Sequence, residues 1–290
     1  MSKYYYLIAG LPNISLDDHK IPFTVEAFYA ELKGMLSSRD KKLTDLFFLK
    51  FDNKNLLNFL LHPEREWDHR GHFTKSSYKE VFDAIREEEK LPENNLPPYM
   101  IAFLEQYQAE AEKETGESKT VSWEDRLAGL YYAYAMKNKN QFVADWYELN
   151  LNINNVLTAI TARKFNLDKA CYIVGDNEIA KTLRTSNARD FGLGDSVEYL
   201  PVLQRITEET DLLLREKKLD QLKWQWLEEL TFFKTFDIES VLAYMLKLEM
   251  MERWTSLDKS KGEKTFRELV GTMKKGSDSA LDEFKRNNTK

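Results

Sequence analysis

Three observations predict an all-α fold for this chain of 290 residues. Gly and Pro, the residues that punctuate strands and tight turns, number only 11 and 7. Apolar residues recur at spacings of three and four along most of the chain, the period of a helix with one buried face. A composition of 42% hydrophobic and 13% aromatic residues also carries too much apolar surface for a disordered chain.

The elements follow in order. The apolar start from Tyr4 to Ala9 leaves room for a short extended element before the turn at Gly10-Leu11-Pro12-Asn13. Thr24 reads as an N-cap for a helix carrying Val25, Phe28, Tyr29, Leu32, Met35 and Leu36 and ending near Ser37. A second helix is predicted from about Arg39 to Leu61, stopped by Pro63. His62 to Thr74 is polar loop, Tyr78 to Glu89 a short amphipathic helix, and Pro92 to Pro98 a break. Tyr99 to Ala111 and Trp123 to Met136 are predicted helical, joined by a charged connector, Glu112 to Lys119, that should be solvated and mobile. Further helices are predicted over Asn140 to Ala162, Asn177 to Arg184, Thr207 to Leu230, Phe232 to Trp254 and Lys264 to Met273, with a fraying tail from Lys274.

Composition also narrows function. The net charge is −6, and no segment gathers enough Lys and Arg to follow a phosphate backbone, so nucleic acid is not an expected partner. One cysteine, Cys171, forms no internal disulfide, and no signal peptide opens the chain; both fit a reducing, cytosolic setting. No apolar run approaches the roughly 20 residues that cross a bilayer.

An internal similarity organises the rest. Leu46 to Leu60 aligns with Thr231 to Met245 at an offset of 185, pairing Phe51 with Phe236, Asp52 with Asp237 and Asn55 with Ser240. A fainter middle copy at an offset of 100 places Asn152 on Asp52 and Asn155 on Asn55. Polar groups three residues apart share a helical face beside the apolar stripe, positioned to bond a neighbouring helix terminus or to face solvent. Three helical domains are expected: residues 1–95, 96–205 and 206–290, the last with a polar tail. Chance register among amphipathic helices is the competing reading.

The segments Phe51-Asp52-x-x-Asn55-Leu56-Leu57, Asn152 to Ala159 running on to Arg163-Lys164, and Ala243-Tyr244-x-x-Lys247-x-Glu249-x-x-Glu252 resemble the C-subunit family of V-type and archaeal-type ATP synthases, whose eukaryotic relative is the d-subunit. The opening Tyr4 to Pro12 and the Leu49-Lys50-Phe51-Asp52 block resemble, over most of the chain, a bacterial family of uncharacterised V-type-ATPase-associated proteins. The resemblance implies three pseudo-symmetric helical domains in a non-catalytic adaptor between the central stalk and the membrane rotor ring. It implies a cytoplasmic protein, peripheral to the inner membrane through that complex. The acidic run Arg86 to Glu89 and the charged connector depart from the pattern and put the usual orientation on the ring in doubt. Arg163 and Lys164 are candidates for an acidic partner surface, the alternative being support of a helix C-terminus.

Other chemistry has thin footing. His62, His69 and His72, with Asp68 adjacent, offer imidazole and carboxylate ligands in the polar loop, but a structural zinc site wants four ligands in tetrahedral array and the one cysteine lies about 100 residues away, so a solvated loop is the competing reading. Cys171 reads as a buried inert thiol, and Gly192-x-Gly194 lacks the context of a nucleotide cradle. The stripe Trp224, Trp226, Phe232, Phe233, Phe236, Met245, Met250, Met251 and Trp254 reads as core, with a partner groove as the alternative. No cofactor and no catalytic residue is expected. A stand-alone helical scaffold for another protein is the alternative function, and a metal-dependent enzyme using Asp68, His69 and His72 a more distant one.

Overall fold

The structure, a computed structural model, describes residues 4–93, 96–111, 121–234 and 236–257. Among them are eleven α-helices and no strand. In chain order these are α1 (Tyr5–Gly10), α2 (Val25–Lys33), α3 (Ser38–Leu61), α4 (Lys75–Arg86), α5 (Pro98–Ala111), α6 (Trp123–Met136), α7 (Gln141–Lys164), α8 (Glu178–Thr185), α9 (Leu200–Thr207), α10 (Leu212–Thr231) and α11 (Ile238–Thr255). The connector at 112–119, the helix expected from Lys264 and the tail from Lys274 lie outside the described residues.

Caps set most boundaries. The Thr24, Ser37, Thr74, Ser122, Asn140 and Asn177 side chains each accept a backbone N–H from the first turn of the helix that follows, satisfying a donor the helix cannot. Two helices end on left-handed residues that are not glycine. After α7, Asn166 has φ 53 and the Leu167 amide donates to the Ala162 carbonyl; after α4, Glu88 has φ 54 and the Glu89 amide donates to the Ala84 carbonyl. Both are Schellman closures, and the second stops α4 at Arg86, three residues before the predicted end.

Three expectations need correction. The N-terminal segment is the helix α1, not extended: buried Tyr4 and partly buried Leu7, Ile8 and Leu11 share one side, while Tyr5, Tyr6 and Ala9 face solvent. The helix expected from Thr207 begins only at Leu212, as α10, and the residues before it form α9, a helix not expected from the sequence. Thr207 ends α9, whose Leu200, Leu203 and Ile206 are buried, and Asp211 caps α10 by accepting from the Leu213 and Leu214 amides. The helix expected from Phe232 begins only at Ile238, which leaves Phe232 and Phe233 75% and 89% exposed.

The helices close a circuit. Each of α3 to α7 packs on the next, α7 continues to α8 and α9, α9 to α10, α10 to α11, and α11 returns to α2. Tyr29 of α2 stacks on Phe48 of α3 at 4.1 Å and completes it. One continuous apolar core runs from Tyr4 to Met251 through residues of all three sequence segments.

The two longest helices among the described residues, α3 and α7, have 24 residues each and are tied to their following loops in the same way. Asn55 accepts from the Asp68 amide and donates to the Asp68 carbonyl, both at 2.8 Å. Asn155 accepts from the Val174 amide at 2.9 Å and donates to the Val174 carbonyl at 2.7 Å. Three residues earlier, on the same helical face, Asp52 accepts from the His72 and Phe73 amides, and Asn152 accepts from the side chain of Asn177, the cap of α8. Glycine follows each clamped residue within three positions. A Cβ on Gly71 would sit 2.8 Å from both Asn55 Nδ2 and Asp52 Oδ1, and Gly175 has φ +76 with Leu151 3.0 Å from its Cβ position.

The third aligned segment is built differently. Asp237 precedes α11 and makes no side-chain cap bond, and Ser240 Oγ is buried without a hydrogen-bond partner among the described residues.

Asn55→Ala strands both polar groups of a buried peptide and is expected to cost about 2–4 kcal/mol, read as a lower denaturation midpoint at constant m-value. Asn155→Ala, whose bonds are part-exposed, should cost roughly 1–3 kcal/mol. Equal, near-zero losses would show that water replaces both clamps.

Candidate functional site

Two features of the circuit could do chemistry: a charged cluster where α2, α3 and the 62–74 loop meet, and the cavity the circuit encloses.

The cluster centres on His72. Its ring lies 3.1 Å from Asp52 Oδ2 through Nδ1 and 3.6 Å from Asp45 Oδ1 through Nε2, and its side chain is 26% exposed. Tyr29 donates to Asp45 and its hydroxyl also lies 3.3 Å from His72 Nε2. Hydrogen bonds to Asp45 and Asp52 push the His72 pKa up to about 9, overcoming a burial that alone would lower it. Burial would raise the Asp45 carboxyl, but bonds from His72 and Tyr29 bring it below its ordinary value. Tyr29 is driven well up by burial and by Asp45, so its hydroxyl stays protonated and donates. A charged imidazolium between two carboxylates is a clamp, and it pins the loop to α3.

Asp68, His69 and His72 are not brought together as metal ligands. The Arg70 guanidinium holds the Asp68 carboxyl well below the usual range, through bonds of 2.8 and 2.7 Å, and Lys54 adds a third contact. His69 is exposed and lies 3.4 Å from Glu26. His72 is held as described. No group of three or more His, Cys, Asp or Glu among the described residues is arranged to hold a metal ion.

Other residues singled out by the sequence also find internal work. Arg163 donates to the Arg189 and Ala188 carbonyls at 2.8 and 2.6 Å and stacks on Phe191, so it ties the end of α7 to the loop before Gly192. Lys164 is exposed beside Phe165. Cys171 is half-buried in a short 3₁₀ turn with its Sγ 3.6 Å from Asp168, not enclosed as expected, because the turn lifts it off the core that holds Ile173. Trp224, Met245, Met250 and Met251 are core, whereas Phe232 and Phe233 are not.

The cavity is the feature that residue spacing does not reveal. It has a volume of 560 Å³ and is lined by α2, α3, α6, α7, α10 and α11, with Arg70 from the loop. Its aromatic side includes Phe47, Phe51, Tyr131, Trp146 and Tyr147. Burial raises the Tyr131 and Tyr147 hydroxyls far above their ordinary value; the pair lie 2.6 Å apart, one donating to the other, and both oxygens lie within reach of the Leu46 carbonyl, at 2.8 and 3.2 Å. Ionic groups are interleaved with these rings: Lys50 pairs with Glu249 and Arg253 with Asp220, and the Arg70 guanidinium lies 3.9 Å over the Phe51 ring.

With this geometry in hand, comparison with known proteins gives one match. A family model described as a protein of unknown function, DUF2764, matches residues 1–277. The chain belongs to the DUF2764 family. No curated protein and no solved structure matches it. No helix among the described residues of this DUF2764 chain is long and apolar enough to cross a membrane.

The His72 clamp has a definite pH signature. Its folded pKa lies above the ordinary 6.5, so its stabilisation is complete below about pH 6.5 and is lost as pH rises through about 9. Denaturation of wild type and His72→Gln between pH 6 and 10 is expected to show a wild-type advantage of roughly 2–3 kcal/mol at pH 6 that fades across that window. A difference independent of pH would remove the charge from this account.

Proposed function

We propose that this DUF2764 protein is a non-catalytic structural subunit of a V-type or archaeal-type rotary ATPase, an adaptor between the central stalk and the membrane rotor ring. The observation that carries this reading is the matched role of Asn55 and Asn155. These residues lie within the segments that resemble the C-subunit family, and in this fold they clamp backbone and touch no reactive group. A chain whose recognisable residues build a frame fits a part that transmits force and presents surfaces.

The shared clamp on α3 and α7 supports equivalent units in the first two thirds of the chain; the third unit departs at Asp237 and Ser240. The docking surface is assigned to the α10–α11 junction, where Phe232 and Phe233 stand exposed with ring centroids 4.8 Å apart. Large aromatics in solvent at an inter-helix corner are costly for an isolated protein and useful in an interface. Lys164 remains the available cation of the Arg163-Lys164 pair, since Arg163 is committed to the neighbouring loop.

Gentle affinity purification of the full chain from its own cells is expected to recover rotary-ATPase subunits. The Phe232→Ser/Phe233→Ser double variant should recover them at least several-fold less while melting within a few degrees of wild type. Absence of those subunits from the wild-type preparation would overturn the proposal in favour of a scaffold for another partner.

A further inference from the structure

The central cavity is lined by four carboxylates, Glu26, Asp220, Glu249 and Glu252, and as many cations, but they are not all paired. The cations are Lys50, Arg70, Lys223 and Arg253. Lys50 is engaged by Glu249, Arg70 by Asp68 in a two-pronged bond, and Arg253 by Asp220 and Glu216. Lys223, on α10, makes no hydrogen bond or ion pair with the described residues. Asp220, one turn earlier on the same helix, is already taken by Arg253 and by the Trp254 indole N–H at 2.7 Å. The remaining cavity carboxylates are also placed elsewhere: Glu252 accepts from the Val25 amide at the start of α2, and Glu26 faces His69.

An ammonium partly withdrawn from water and left without a counter-charge destabilises its own charged form. Burial does lower the Lys223 pKa, with Arg253 acting in the same direction and Asp220, Glu216 and Glu249 opposing. The cavity's aromatic wall includes Phe51, Tyr132 and Trp146. A volume of 560 Å³ lies within the range of small-molecule sites, which pair mostly apolar walls with few polar anchors.

We propose that this cavity binds a small amphipathic monoanion, with a flat apolar body laid against the aromatic wall and one acidic group paired with Lys223. One negative charge is specified because Lys223 is the one cavity cation without an ion pair among the described residues, and the four carboxylates of the lining oppose any further anionic charge. The inference is independent of the rotary-ATPase reading, since none of the cavity residues used here belongs to the Phe232–Phe233 surface.

The probe is 8-anilinonaphthalene-1-sulfonate, a monoanion with two aromatic groups, titrated into the full chain by fluorescence, beside its uncharged analogue N-phenyl-1-naphthylamine. Wild type is expected to bind the sulfonate saturably at one site, about tenfold or more tighter than the neutral analogue. Lys223→Gln should erase that preference, and Lys223→Arg should keep it. The anion-to-neutral ratio on wild type decides the matter even where Lys223→Gln folds poorly. The proposal is overturned by a ratio near one, by unchanged sulfonate affinity in folded Lys223→Gln, or by loss of binding in Phe232→Ser/Phe233→Ser, which would place the probe on the exposed aromatic corner.

Discussion

The fold depends on how two long helices satisfy the backbone beside them. A loop that folds back onto a buried helix face carries peptide groups away from water, and each unpaired one costs on the order of 1–3 kcal/mol. Asn55 and Asn155 resolve this with one side chain each. A carboxamide has a donor and an acceptor at one end, so it can bond both the N–H and the C=O of a single residue. Asp52 and Asn152 extend the grip to the start of the next helix. With these loops fixed, α4 and α8 take their directions from α3 and α7, and the circuit of helices can close.

Closure has a consequence for charge. Six helices meet around a space that their apolar faces do not fill, and long ionic side chains from α3, α10 and α11 reach into it. Most are matched in pairs, as partly enclosed charges must be. The His72 cluster follows the same logic at the edge of the circuit, where one imidazolium answers two carboxylates that would otherwise repel across α3. Ionic matching is thus structural in the cavity and in the His72 cluster, and among the cavity cations Lys223 stands out against it.

Much of this is legible in the chain. Local signals locate the helices with conventional caps: Thr24, the Pro63 stop and the span Trp123 to Met136 are set by neighbouring residues alone. The pairing of Asp52 with Asn152 and Asn55 with Asn155 is visible because residues three apart share a helical face. What they bond is not, since Asp68 and Val174 lie 13 and 19 residues away across loops of unequal length. The limits of α9 and α10 carry local signals that the apolar pattern alone does not use: no apolar residue lies between Ile206 and Leu212, Asp211 is a good cap, and Pro201 sits in the first turn of α9. Phe232 and Phe233 read as core because composition cannot distinguish a buried aromatic from one held out by a helix break. The cavity and the unpaired state of Lys223 arise only when α3, α7, α10 and α11 come together.

The central claim is that the two carboxamide clamps are part of the cooperative frame and not local decoration. Native-state hydrogen exchange of the Asp68 and Val174 amides tests it most directly. If the claim holds, these two loop amides exchange only with global unfolding, with protection equal to that of amides in the middle of α3 and α7. Exchange of both at the rate of exposed loop amides, while the helix interiors stay protected, would contradict it.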